Sequence, residues 1–448
     1  MKRKGLIALT PILVFLGVYL LTSILIKDFY KVPVASAFLL ASVYAVIISR
    51  GPLRKRLELF SEGAGNSKVL LMVWIFILAG AFAQTAKDIG SIEATVNLTL
   101  RVIPGSMLFA GLFFTACFIS MSVGTSVGTI VALVPIATGI AQETGFSEAF
   151  MAAIIVGGAF FGDNLSFISD TTIAATKALD CAMKDKFKAN IRIVAPAVLV
   201  VFIIYIIKGL GVEVTVEPGA ADPVKLIPYL MVLILALEGM DVLLILSLGI
   251  AVNLLIGLLT GSLGWVEWLS SIGEGIGGMG SLIIVTLLAG GMMALIRAGG
   301  GLDWLVGALT RRLGASEPSA DAPVADTPEP AVPSPAASRR QRRGAELSIA
   351  ALVSLANLCT ANNTIAIITV GGIAKDIADR FGLDRRRVAS ILDTFSCFIQ
   401  GLIPYGAQLL MASGLAGVGA AAIIGHLYYP FALGIVALAA ILFPSRKR

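Results

Sequence analysis

Between residues 157 and 172 the chain reads Gly-Gly-Ala-Phe-Phe-Gly-Asp-Asn-Leu-Ser-Phe-Ile-Ser-Asp-Thr-Thr, directly after an apolar run that starts at Ala149. Two carboxylates, Asp163 and Asp170, stand seven positions apart among an amide and four hydroxyls. A charge in hydrocarbon costs at least about 2.5–3.5 kcal/mol, so ionisable groups at membrane depth are rare and usually functional. Seven residues make about two helical turns and would put both carboxylates on one face of a continuous helix. The glycine and the small polar residues predict a break instead, where unwound carbonyls and side-chain oxygens surround a cation. The donors are hard oxygens with no His or Cys beside them, which suits Na⁺, H⁺ or Mg²⁺ better than zinc or copper. The candidate cation ligands are Asp163, Asn164, Ser166, Ser169, Asp170 and Thr171. The competing reading is a cytosolic cap cluster where the helix leaves the membrane; the number of oxygen donors speaks against it.

Of 448 residues, 57% are hydrophobic and only 14% charged, and the mean hydropathy is +0.92. Repeated apolar stretches of about 20 residues define an all-α polytopic membrane protein with about ten to twelve membrane segments. The net charge of +6 comes from basic loops, which report topology rather than nucleic-acid binding. Cys117, Cys181, Cys359 and Cys397 have no metal-like spacing and read as free packing thiols. His426 reads as structural or interfacial. Leu6–Ile26 follows Met1-Lys2-Arg3-Lys4 but has no small-residue cleavage site, so it reads as a retained first helix.

Charge then sets the orientation. The basic N-terminus, the loop with Arg50, Arg54, Lys55 and Arg56, and the group Lys177, Lys184, Lys186 and Lys188 are expected inside. The segments with Glu143 and Glu148, and with Glu213, Glu217 and Asp222, are expected outside. Ile103–Ala141 is interrupted by Ser122-Val123-Gly124-Thr125-Ser126-Val127-Gly128-Thr129, a broken or re-entrant element that either crosses twice or turns back. Residues 1–224 form a first repeat and 225–314 begin a second, with Glu238 and Asp241 at a solvated turn and Trp265 and Trp268 at an interface. Residues 315–345, rich in Pro and Ala and then Arg, are expected to be a disordered cytosolic linker. Residues 346–448 complete the second repeat, ending inside at Arg446-Lys447-Arg448.

The repeat is weak in identity. Asn357-Leu358-Cys359-Thr360-Ala361-Asn362-Asn363-Thr364-Ile365 aligns with Ser122–Ile130 through two threonines and the isoleucine, and Asp163–Phe167 with Gln400–Pro404. The loop between the two elements is acidic in the first half and basic in the second (Lys375, Arg380, Arg385, Arg386, Arg387), which predicts opposite orientations. Two inverted-topology repeats with broken helices meeting at mid-membrane, and both termini cytoplasmic, are a secondary-transporter plan. Asp393, inside an apolar run, is a third candidate coupling carboxylate. Thr125, Thr129, Asn357, Thr360, Asn362, Asn363, Thr364, Thr394, Gln400, Tyr405 and Gln408 are the candidate lining of a substrate site. No Lys or Arg is expected at membrane depth near the carboxylates, so a bound cation or protons must neutralise them.

Phe161-Gly162-Asp163-Asn164-Leu165-Ser166-Phe167-Ile168-Ser169-Asp170-Thr171-Thr172, together with Ile391–Phe395 and Gln400–Gln408, resembles the NhaC-type sodium/proton antiporter family over nearly the whole chain outside the linker. Phe167 stands where the family pattern has proline, which leaves the shape of the break open. The resemblance implies a non-enzymatic secondary transporter of a bacterial-type inner membrane that exchanges cytoplasmic Na⁺ for external H⁺ at shared carboxylates. Its partners are then Na⁺, H⁺ and the bilayer, with no cofactor and no nucleic acid, and a homodimer is compatible. The family also contains transporters of organic acids and amino acids, so the alternative is a Na⁺-coupled symporter or exchanger of a small organic solute. An intramembrane aspartyl protease using Asp163 and Asp393 fits poorly, because Phe160 stands where the Gly-x-Gly-Asp pattern needs glycine. A channel is disfavoured by carboxylates within broken helices.

Overall fold

The computed structural model describes residues 2–443 except 27–33, 167–168, 211, 213–218, 220–221, 239, 302–303 and 305–338. Phe167, the acidic loop at Glu213 and Glu217, linker residues 315–338 and the C-terminal Arg446-Lys447-Arg448 lie outside the described residues. Among the described residues the regular structure is helical. Seven helical stretches are long and apolar enough to cross a membrane, and five further apolar helices are shorter.

The chain opens with α1 (Lys2–Ile26), α2 (Val34–Ile48), α3 (Leu53–Ala64), α4 (Ser67–Asp88) and α5 (Ser91–Val102). The basic loop expected after α2 is itself a helix, α3, with no buried residue. Its Arg56 turns back to the end of α2, donating to the carbonyls of Val46 and Ile47 at 2.8 and 3.0 Å and so satisfying carbonyls that a helix end leaves open.

Next come α6 (Leu108–Val123), α7 (Ser126–Thr144), α8 (Glu148–Leu165), α9 (Asp170–Ala178) and α10 (Met183–Gly209). Helix α8 is apolar all round and almost wholly buried, as a helix without a polar face must be. It runs parallel to α6: Gly158 packs on Ala116, and Gly162 four residues later packs on Ser120. A β-carbon on Gly158 would lie 2.9 Å from Cys117 N and Phe113 O, and one on Gly162 would collide with Ser120. Such small residues let helix backbones approach closely, and here Ser120 Oγ donates to Ala159 O at 2.7 Å. Gly162→Leu is therefore expected to cost about 3 kcal/mol or more, seen as loss of the monodisperse peak after detergent extraction. Gly277→Leu, where a side chain meets open space, is expected to leave that peak intact.

The chain continues through α11 (Pro223–Leu237), α12 (Val242–Thr260), α13 (Trp265–Gly278) and α14 (Gly280–Ala298). The expected tryptophan anchor is α13, in which Trp268 Nε1 donates to Ile250 O at 3.1 Å. The second half closes with α15 (Arg339–Thr360), α16 (Asn363–Phe381), α17 (Arg385–Gln400), α18 (Ala407–Ala416), α19 (Ala420–Ile424) and α20 (Tyr428–Leu442). Residues 339–345 of the expected linker are helical. They form the first turns of α15, where Ala345 is buried and Glu346 next to it receives two hydrogen bonds from Arg387, at 2.5 and 2.8 Å.

The series helix, break, helix, helix, break, helix thus occurs twice, as α6–α9 and as α15–α18. The two first breaks share their backbone. Gly124 has φ +74 and is followed by extended Thr125, while Ala361 has φ +50 and is followed by extended Asn362. The structure pairs Thr125 with Asn362, two residues away from the register in which it aligns with Thr360. What the halves share is a left-handed residue followed by a helix N-cap, and the coincidence of threonines misplaces it. A β-substituted residue in the left-handed region is strained, by about 1–3 kcal/mol; the Ala361 backbone is held on both sides, by Asn357 O and by Gln400.

Candidate cation site

Asp163 is the antepenultimate residue of α8 and 6% exposed. Its Oδ1 accepts the backbone N–H of Ser126, the first residue of α7, at 3.1 Å. The tip of the α6–α7 turn therefore aims a helix N-terminus, a favourable place for an anion, at this carboxylate. The break after α8 is stitched from the other side. Ser169 Oγ and Thr171 Oγ1 donate to Asp163 O at 2.8 and 3.0 Å, and Ser169 caps α9 by accepting Thr172 N at 3.3 Å. These hydroxyls bind the Asp163 backbone rather than gathering on its carboxylate. Ser166 is buried at the end of α8. Asp170 is exposed in the first turn of α9, so the two carboxylates do not share one buried face.

The expectation of no basic group near the carboxylates is corrected by the structure. Lys186, expected in a cytosolic loop, lies in the first turns of α10 at 1% exposure, with its Nζ 2.7 Å from Oδ2 of fully buried Asp393. The same ammonium donates to Asn164 O at 2.9 Å and Thr172 Oγ1 at 2.7 Å. Asn190, one turn further on, donates to both Asn164 O and Asp393 Oδ2 at 2.8 Å. Helix α10 thus clamps the break after α8 to the middle of α17. Lys186 and Asn190 are the missed residues, and the sequence carried a signal for them. They open the buried stripe Lys186, Asn190, Val194, Ala197, Val201, Tyr205, whose three- and four-residue spacing marks one helix face. Lys184 and Lys188 fall off that stripe. Asp393 is engaged by an ammonium, so it does not form the paired-carboxylate centre of an aspartyl protease.

A polar relay crosses from one half to the other. Gln400 Nε2 donates to Ala361 O and to Gln408 Oε1, both at 3.0 Å; Gln408 Nε2 donates to Ser126 Oγ at 3.1 Å; and Ser126 N reaches Asp163. All four breaks are joined this way. The second-half residues otherwise serve mainly as braces. Asn357 Nδ2 donates to Ser396 O (2.7 Å), Thr360 Oγ1 to Asn362 O (3.1 Å) and Tyr405 Oη to Leu358 O (2.7 Å). Asn362 caps α16 by accepting Ile365 N (2.9 Å), and Asn363 Oδ1 accepts Thr364 N (3.0 Å). Thr129 is buried with its hydroxyl on Thr125 O (3.2 Å). Around this network Asn164 Oδ1, Asn190 Oδ1, Asp393 Oδ1, Thr394 Oγ1 and Gln400 Oε1 are buried without a hydrogen-bond partner among the described residues. Each is a hard acceptor of the kind that ligates an alkali cation.

These residues match, over 5–210 and 332–444, the Na⁺/H⁺ antiporter family. The chain belongs to that family. Individual relatives are distant. The Na(+)/H(+) antiporter NhaC of Bacillus subtilis is 24% identical over 200 residues, 42% of this chain and 43% of that one. The malate-2H(+)/Na(+)-lactate antiporter of the same organism is 25% identical over 216 residues, 47% and 45% of the two chains. The NhaC of Alkalihalophilus pseudofirmus is 20% identical over 481 aligned positions, 99% of this chain and 96% of that one. The chain thus spans less than half the length of each Bacillus subtilis relative it matches. The family and the apolar helices make it a multi-pass integral membrane protein.

Proposed function

We propose that the chain exchanges Na⁺ for H⁺ at Asp163. The observation that carries this reading is a charge count. Asp163, Asp393 and Lys186 are buried together around the breaks, and when all are ionised they sum to one uncompensated negative charge. Asp393 has its ammonium; among the described residues Asp163 has no basic partner. An unpaired charge at such a site is too costly to leave alone, and one monovalent cation or one proton cancels it. The two cannot do so together, and that competition couples the fluxes. Asp163 is then the exchange group, with Asn164 Oδ1 beside it as a further ligand. Asp170 stands at the exposed end of the break, and Asp393 acts as the partner of Lys186 rather than as a second exchange group. No cofactor is required, since Na⁺ and H⁺ are the cargo.

Alternating access follows from inverted halves rocking about this point. Supporting this, α8 and α17 run antiparallel: Phe160 of α8 meets Gly401 beyond the end of α17, while Asn164 further along α8 is bridged to Asp393 further back in α17. The test uses proteoliposomes loaded at acid pH with a trapped pH dye. External Na⁺ is expected to alkalinise the lumen, and K⁺ or choline to leave it unchanged. A lumen that stays acid with Na⁺ while the imposed gradient persists would rule the exchange out. A second reading, Na⁺-coupled exchange of a small organic solute, is favoured by one feature: a cavity that reaches the second-half break.

A further inference from the structure

Helices α10, α17 and α20 pack pairwise and enclose a second cavity, of about 490 Å³. Its volume falls in the range of small-ligand sites, about 300–1,000 Å³. Asp185 lies in electrostatic reach of Arg386, while Lys186 and Asn190 meet Asp393. Helices α10 and α17 therefore run parallel, and both begin at this end of the molecule. Arg387 ties the last turn of α20 to them by donating to Ala440 O at 2.8 Å. Along each helix the cavity wall changes character. Asp185, Lys188, Arg192, Asp384, Arg386 and Arg387 come first; Ile193, Ile391 and Phe395 follow further in, with Ala437 and Ala440 of α20 lining the same space. Residues 193–207 of α10 and all of α20 carry no charge. The cavity thus straddles the line where charge gives way to hydrocarbon.

The charges there do not cancel. Arg387 is taken by Glu346, and Arg386 by Asp384 at 3.1 Å. Lys188 and Arg192, both exposed, have no ion-pair partner among the described residues. They stand four positions apart on α10, so their β-carbons lie about 5–6 Å apart on one helix face. Counting Asp185 against them leaves one positive charge, and the positive ends of two helix dipoles add to it. We propose that this cavity binds one anionic glycerophospholipid, its phosphodiester bridged by Lys188 and Arg192 and one acyl chain lying over Ala437 and Ala440. A guanidinium offers a fork to two phosphate oxygens and an ammonium a point charge to a third contact. Basic pockets between membrane helices recognise anionic headgroups in this way. A zwitterionic lipid brings its own ammonium and leaves the positive charge in place. A soluble phosphate would match the charged end but leave the apolar walls facing water. The site does not involve Asp163, and it stands whether or not that residue exchanges Na⁺ for H⁺.

The experiment titrates dioleoylphosphatidylglycerol into the delipidated full chain in detergent and counts bound lipids by native mass spectrometry, with dioleoylphosphatidylcholine in parallel. Wild type is expected to bind one phosphatidylglycerol roughly tenfold or more tightly than phosphatidylcholine. Lys188→Gln/Arg192→Gln is expected to bring the two lipids within about twofold of each other, while its melting temperature in lipid-free detergent stays that of wild type. Lys177→Gln removes a charge from the exposed last turn of α9, outside the cavity, and is expected to keep the preference. Ala440→Leu, which fills the furrow and leaves both cations in place, is expected to weaken phosphatidylglycerol binding roughly tenfold. Glycerol 3-phosphate, a headgroup without chains, is expected not to displace the lipid; displacement would make this a site for a soluble phosphate and overturn the proposal. Equal binding of the two lipids by wild type, a preference that survives in the double variant, or one that falls as far in Lys177→Gln, would overturn it too.

Discussion

Asp163→Asn is expected to abolish Na⁺-driven alkalinisation of proteoliposomes while the protein still folds. Asparagine is nearly isosteric, and its Oδ1 can still accept Ser126 N, the contact that docks the α7 tip onto α8. What it lacks is the charge. A neutral amide cannot take a proton at working pH, and it gives up charge-assisted binding of a cation. A loss of about 3 kcal/mol there corresponds to roughly a hundredfold in affinity. The buried sum then becomes zero with Lys186 and Asp393 alone, and nothing remains for a cation to neutralise. Asp170→Asn, exposed in the first turn of α9, is expected to keep most of the exchange. The measurement is the initial alkalinisation rate at saturating Na⁺, beside a melting curve in detergent. Wild-type rates in Asp163→Asn would move the coupling group elsewhere.

The second large effect concerns the ion pair that only the structure revealed. Lys186→Met leaves Asp393 fully buried with Asn190 as its remaining partner. Breaking a buried pair from one side costs about 3–5 kcal/mol, because the surviving charge is uncompensated, whereas replacing both partners by apolar groups is often neutral. Lys186→Met alone should therefore lower the melting temperature sharply, and Lys186→Met/Asp393→Leu should recover most of the loss. Asn190 keeps its bond to Asn164 O in the double variant, so the break after α8 retains part of its clamp. Because Asp163 still carries the single buried charge, Na⁺-driven exchange should return with the fold. Strictly additive losses in stability would show that the two residues do not act as a pair, and a restored fold without exchange would put Asp393 in the cargo site itself.

The route by which Lys186 escaped notice shows where sequence reading stops. Four lysines within a short span read as a cytosolic cluster, and counting charges for topology treats them alike. Only the helix phase separates Lys186 from Lys184 and Lys188, and phase matters only once a neighbour covers one face. Asp393 could be read as buried from its apolar flanks, yet its partner comes from 207 positions away and leaves no local trace. The repeat shows the same limit. Gly124 and Ala361 do the same backbone job without sharing a side chain, so the alignment settled on threonines two residues out of register.

What the sequence determined by itself was whatever depends on local composition. The membrane class, the helical architecture and the positions of the breaks follow from apolar length and from Gly, Ser, Thr and Asn in runs, because hydrocarbon forces backbone groups to be satisfied within each segment. The tertiary structure alone decided how charge is shared. It gave Asp393 an ammonium, left Asp163 without one among the described residues, put Asp170 at the exposed end of its helix, and turned the Ser169 and Thr171 hydroxyls from the expected cation ligands into stitches on a backbone carbonyl. Electrostatic balance in a buried site is a property of which segments meet, and helices far apart in the chain meet only in the fold.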